Sequence, residues 1–235
     1  MRREAEAYDL TLKYTGTDGR TSQSGTLVLG RNVDFLLNAY DTEGDGVVRT
    51  RVPRGTYLLE TPVRTRKGAR ATPGTALMVQ PELSVTKATT VTFDARRAKP
   101  VNFTVPQGAK GVDTYLKYVL ESDDTTYGSV WQHDSFKGFR TGHVGAALPA
   151  KEFSSHIGGT WQKGSTTYNL HYDRARSLHT GLVHKAKAPV LNRKGKRTLS
   201  LSHPGKATSV SLKAKLTDKQ GNSYQVTIVK AYLLK

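Results

Sequence analysis

The segment DTEGDG, Asp41 to Gly46, sets oxygen ligands at Asp41, Glu43 and Asp45 with a glycine directly after them. Alternating acidic residues ahead of a glycine form the first half of a calcium loop, which in full closes with a bidentate glutamate at its twelfth position. Counted from Asp41, that position is Val52. A polar β-turn between two strands is therefore the plainer reading, with Ca2+ the one ion the pattern suits and no other cofactor expected. All seven histidines fall between His133 and His203. His171 precedes Asp173 by two residues, and on a strand residues i and i+2 share a face. A zinc site needs three or four converging ligands. Spacing alone supplies this pair and no third member, and His179 and His184, five apart, do not help. Surface or turn histidines are the expectation.

Nucleophilic chemistry has little to work with. The chain has no cysteine, which removes disulfides, thiolate metal sites and cysteine nucleophiles. Neither G-x-S-x-G nor H-E-x-x-H occurs, and both common phosphate-binding glycine loops are missing. His133, Asp134 and Ser135 are sequence neighbours, and neighbours on a strand point to opposite faces, whereas a triad is assembled in space. A chain without catalytic residues is expected. Trp131 and Trp161, with Tyr115, Tyr118, Tyr127, Tyr168 and Tyr172, are of the types that stack on bases or sugars. The tyrosines alternate with polar residues, as the core anchors of a sandwich do. Basic residues do not interleave with them, which argues against a single-stranded nucleic-acid platform.

The elements that must carry these residues read as strands. The chain holds 29 Thr and 20 Val against 7 Glu, and β-branched side chains fit a pleated surface. Short alternating runs recur between turn residues: Asp9 to Tyr14, Thr26 to Leu29, Val33 to Ala39, Val47 to Val52, Thr56 to Leu59, Leu83 to Thr86, Thr90 to Phe93 and Val101 to Val105. Further runs are Tyr115 to Leu120, Ser129 to Trp131, Thr160 to Gln162, Thr167 to Tyr172 and Leu199 to Ser202. The clearest hairpin is SVSLKAKLT, DKQGN, SYQVTIVKAYL, with Val210, Leu212, Ala214 and Leu216 on one face. A helix is expected only at Pro149 to His156. The spacing thus predicts an all-β sandwich architecture. A boundary falls near Ala98 to Val101, where ARRAKPV interrupts two strand runs and divides the chain into 1–98 and 99–235.

The charge is concentrated. There are 36 Lys+Arg against 19 Asp+Glu, a formal net charge of +17. Residues 174–235 hold 14 of the basic residues and a single acidic one, Asp218. Arg193, Lys194, Lys196 and Arg197 form the tightest group and, with Lys185 and Lys187, a candidate polyanion-binding patch. Its partner by charge would be an anionic cell-surface polymer, with nucleic acid less expected. Solvated loop and strand faces are the blander alternative. No run approaches the roughly 18 apolar residues of a membrane span, and MRREAEAYDL lacks the apolar stretch of a signal peptide.

Several segments resemble a known family. GVVRTRVPRGTYLLE, Gly46 to Glu60, is similar to the strand, Pro-x-Gly turn, strand unit of bacterial prealbumin-like or carboxypeptidase-regulatory-like modules. PELSVTKATTVTFDARRAKPVNFTVP, Pro81 to Pro106, resembles the accessory region downstream of the catalytic domain in large secreted bacterial subtilisin-like serine peptidases. Gly158 to Ala186 looks like a later part of that region, and Ser209 to Lys235 like its closing hairpin. The resemblance implies two β-sandwich domains joined by a short linker, prealbumin-like over 1–98 and immunoglobulin-like over 99–235. It further implies an extracellular, non-catalytic module that stabilises its peptidase or attaches it to substrate or cell surface. The implied partners are the peptidase catalytic domain or a protein substrate. No catalytic Asp, His or Ser of the family carries over.

Overall fold

Among the described residues, the alternating Thr- and Val-rich runs fold into strands. The computed structural model describes residues 6–65, 74–105, 108–122, 126–185, 209–217 and 223–233. Among these lie sixteen strands and no helix. In chain order they are β1 (Ala7–Thr15), β2 (Gly25–Gly30), β3 (Leu36–Tyr40), β4 (Val47–Pro53), β5 (Gly55–Thr65) and β6 (Gly74–Val85). Then come β7 (Thr89–Asp94), β8 (Lys99–Thr104), β9 (Lys110–Glu121), β10 (Thr126–His133) and β11 (Phe139–His143). The last are β12 (Phe153–Lys163), β13 (Thr166–Ala175), β14 (Leu182–Lys185), β15 (Ser209–Thr217) and β16 (Ser223–Leu233).

The strands form three sheets, ordered β4-β1-β7, β14-β8-β11-β6-β5-β2-β3 and β10-β9-β12-β13-β16-β15. Neighbours are antiparallel except β1 with β7, β11 with β6 and β14 with β8. Two apolar cores separate the sheets. Leu10, Leu12 and Tyr14 of β1 and Phe93 of β7 meet Tyr57, Leu59 and Met78 of the seven-stranded sheet in one core. Leu58, Leu77, Val79 and Val101 of that sheet meet Leu116, Tyr118, Phe153 and Ile157 of the six-stranded sheet in the other. Adjacent residues on β5 and β6 thus enter opposite cores, and the seven-stranded sheet is the middle layer of an all-β sandwich-type fold. A strand covered on both faces needs apolar residues at successive positions. This accounts for the unbroken ALMV of β6, fully or almost fully buried from Ala76 to Val79. Fully burying one such side chain contributes roughly 1.5–3 kcal/mol.

Strands from both sides of residue 98 share the middle sheet, because β11 adds to β6 in parallel from Phe139↔Thr75 to His143↔Val79. The ARRA segment is a tight turn in which Arg97 N–H donates to the Asp94 carbonyl and Ala98 N–H to that of Ala95. Both alanines are fully buried. Residue 98 itself lies in the turn that carries the chain from β7 of the three-stranded sheet to β8 of the middle sheet.

The helix expected at Pro149 to His156 does not form. The Pro149 carbonyl accepts from the N–H groups of Glu152 and Phe153, closing one turn, and β12 starts at Phe153. Phe153, Ser155 and Ile157 then alternate into the core, a period of two that overrides the helical reading. The closing hairpin forms as β15 and β16, and the run Leu199 to Ser202 lies outside the described residues.

Candidate functional site

Among the described residues, the outer face of the six-stranded sheet brings together two histidines, a carboxylate and a phenol. On β9, β12 and β13, the residues facing the core are Leu116, Tyr118, Phe153, Ile157 and Leu170. The intervening positions therefore face away from it: Tyr115 and Lys117, His156 and Gly158, His171 and Asp173. Register lines these up in two rows. Lys117, His156 and Asp173 are direct neighbours across the three strands, and in the next row so are Tyr115, Gly158 and His171. Gly158 makes the second row possible. A Cβ there would lie 2.3 Å from the Leu170 carbonyl oxygen and 3.3 Å from His171 Nδ1. Without that atom, Tyr115 reaches over β12 to His171.

Both imidazoles converge on one oxygen. His171 Nε2 lies 2.5 Å from Asp173 Oδ1, and His156 Nδ1 is hydrogen-bonded to the same atom. The remaining ring nitrogens also have partners. Tyr115 Oη is 2.7 Å from His171 Nδ1, and Ser154 Oγ is 3.4 Å from His156 Nε2. The two rings stack, with centroids 5.5 Å apart and planes at 21°. Burial lowers the His171 pKa, with the His156 ring and Lys117 acting the same way and Asp173 opposing them. A neutral His171 accepts the Tyr115 proton at Nδ1 and donates from Nε2 to Asp173. This is a hydroxyl, imidazole and carboxylate in series, but the hydroxyl is a phenol that burial and the Asp173 and Asp113 charges push up. The phenol stays protonated, so the series is a positioning network. His156, His171 and Asp173 each offer a ligand atom, all within 4.8 Å of one another.

Sequence spacing identifies the His171–Asp173 pair. It misses His156, which lies in the segment expected to be helical, and Tyr115, counted there among core aromatics. Placing Phe153 to Lys163 as a strand beside Thr167 to Tyr172 is the signal that would bring His156 opposite Asp173.

Three further histidines among the described residues, His179, His143 and His133, pack within the fold. His179 is 4% exposed, and Ser155 Oγ lies 2.9 Å from its Nδ1. Ser155 Oγ also accepts from the His179 backbone N–H and donates to the Ser177 carbonyl. With the single hydroxyl proton committed there, His179 Nδ1–H donates to Ser155, and this pair ties β12 to the chain after β13. Burial pushes the His179 imidazole down from 6.5 to about 3. His143 donates from Nε2 to the Ala146 carbonyl and accepts the Leu178 N–H at Nδ1. His133 packs on Phe139 and Phe136, while Asp134 and Ser135 are exposed.

Asp41 is 3% exposed, and its two carboxylate oxygens accept the backbone N–H groups of Gly44 and Gly46 at 2.7 and 2.8 Å. Both glycines have positive φ, 76° and 77°, which L side chains rarely adopt. Asp45 accepts from Val47 N–H, and Glu43 is exposed. DTEGDG is thus a turn organised by Asp41. Val52, the twelfth position, is buried in β4. Lys187, Arg193, Lys194, Lys196 and Arg197 lie outside the described residues, and Lys185 is placed at the end of β14 by its backbone.

Trp161 is a core residue, with its ring 5.0 Å from that of Phe103. Trp131 is half-buried beside a cavity of about 570 Å3 that Tyr40 and Glu60 also line. Tyr118 Oη donates to Glu60 at 2.5 Å, joining the middle and six-stranded sheets. No helix among the described residues is long and apolar enough to cross a membrane. Comparison with known proteins finds no family model, no curated protein and no solved structure that matches the chain.

Proposed function

We propose that the chain is a non-catalytic accessory β-sandwich module of a secreted subtilisin-like serine peptidase, which stabilises the peptidase or holds it near protein substrate or the cell surface. What supports this reading is the resemblance of the run Pro81 to Pro106 to the accessory region that follows such catalytic domains. In the fold this run spans the end of β6, all of β7 and all of β8. A rigid layered frame that presents loops and strand edges suits recognition of a surface. The test is to join the chain to a subtilisin-like catalytic domain encoded directly upstream and compare the enzyme with and without it. The reading expects slower thermal inactivation or tighter retention on protein substrate with the chain attached. Equal behaviour of the two forms, or an upstream gene unrelated to peptidases, would sink it.

A second reading, independent binding of an anionic cell-surface polymer, is favoured by one observation. Residues 174–235 hold 14 Lys and Arg against one acidic residue, and Lys213 and Lys215 are exposed on β15, at the end of its sheet. Such binding would be strong at low salt and fall steeply between about 50 and 500 mM. Retention that ignores salt, or never occurs, counts against it.

A further inference from the structure

The cluster on the outer face of the six-stranded sheet does more than satisfy its own hydrogen bonds. Two imidazoles are aimed at a single carboxylate oxygen from strands whose backbones are fixed by continuous pairing, His156↔Asp173 on β12 and β13 and His171 two residues along. Three donors at one point is the arrangement that a divalent ion requires. Two nitrogens and one oxygen suit Zn2+ and similar borderline ions, whereas Ca2+ and Mg2+ prefer oxygen alone. An ion held at about 2.0–2.1 Å spreads tetrahedral ligand atoms to roughly 3.3 Å apart. All three atoms lie within 4.8 Å of one another and both nitrogens already touch the Asp173 oxygen, so an ion enters by side-chain rotations that open these two contacts while the strands stay in register.

The outer hydrogen bonds are in place as well. A ligating imidazole is held in its tautomer by a partner on the other ring nitrogen. Tyr115 stands 2.7 Å from His171 Nδ1 and Ser154 stands 3.4 Å from His156 Nε2, leaving Nε2 of His171 and Nδ1 of His156 directed at Asp173. When Nε2 takes the ion, the proton of a neutral His171 moves to Nδ1 and is donated to the Tyr115 oxygen. Lys117, beside His156, adds a positive charge at the edge of the site, and Asp173 offsets part of the charge of the ion.

We propose that His156, His171 and Asp173 form a Zn2+ site with its fourth position open to solvent. This inference is independent of the accessory-module reading, and neither depends on the outcome of the other's test. The experiment is equilibrium titration of the chelator-treated full chain with ZnCl2, repeated with CoCl2 to record the visible absorption of tetrahedral Co2+. The expected result is one ion per chain and no competition from Ca2+. His171→Gln and Asp173→Asn should each weaken Zn2+ binding by more than about tenfold while far-UV circular dichroism is unchanged. Tyr115→Phe should weaken it by about 10–100-fold and retain the tetrahedral Co2+ spectrum, which separates positioning from ligation. His184→Gln with His203→Gln should leave affinity unchanged. Binding that survives His171→Gln and Asp173→Asn, that is lost with His184 and His203, or that needs millimolar zinc would overturn the proposal. If the two ligand variants fail to fold, the Tyr115→Phe affinity and the wild-type Co2+ spectrum decide it.

Discussion

His179 ties acid stability to a single buried ring. Its imidazole is 4% exposed and is pushed down from 6.5 to about 3, first by burial, then by Arg174 and His156, with Asp173 opposing and His171 adding to the effect. In the unfolded chain the same ring titrates at its ordinary value, so between those limits the unfolded state binds a proton that the folded state does not. Stability from the neutral ring is therefore complete above about pH 6.5 and is lost as pH falls toward about 3. One proton changes stability by about 1.4 kcal/mol per pH unit, so two units below 6.5 the loss is about 2.7 kcal/mol. The perturbation is His179→Asn, whose amide retains a donor for Ser155 but does not titrate. Urea unfolding of both chains at about pH 7 and about pH 4.5 measures the difference. Groups that do not interact with His179 contribute equally in both chains. The unsubstituted chain should lose about 2–3 kcal/mol more than the variant on acidification. Losses equal within about 0.5 kcal/mol would show that His179 is not held neutral by the fold.

Two further predictions follow from hydrogen bonds and space. Asp41→Ala removes the acceptor for two backbone N–H groups and should cost about 2 kcal/mol in urea unfolding. Asp41→Asn, which keeps one side-chain oxygen, should cost less, and added Ca2+ should shift the midpoint of neither chain if the turn reading of DTEGDG holds. Gly158→Ala sets a Cβ against the Leu170 carbonyl oxygen and His171, and should destabilise by about 1–3 kcal/mol. It should also shift the His171 ring resonances as the Tyr115 bond breaks; unchanged resonances would mean that Tyr115 does not reach across Gly158.

What could be read from the sequence depends on how each strand is covered. β1, β4 and β7 form the outer sheet, and alternate residues of each are buried in one core, so their alternation is visible as Leu10, Leu12, Tyr14 or Val91, Phe93. β6 lies between two cores, and its buried ALMV has no period to detect, so only its end at Leu83 is evident. β11 is five residues long and includes Gly142, and the sequence marks it too weakly to be placed beside β6. The candidate site was half legible for a related reason. Residues i and i+2 on one strand can be paired by counting, whereas His156 joins His171 and Asp173 only through the β12–β13 register. The turn at Asp41 was legible because its chemistry is local.

The β11–β6 pairing bears on how the molecule is assembled. As the chain is synthesised, residues 74–85 emerge well before residues 139–143, and until β11 arrives one edge of β6 presents unpaired backbone groups on a strand that is apolar on both faces. An unpaired apolar edge recruits other chains. Any fragment that stops near residue 98 carries that edge permanently, and self-association is its expected fate, so expression of the first half alone should yield aggregates where the whole chain remains dispersed.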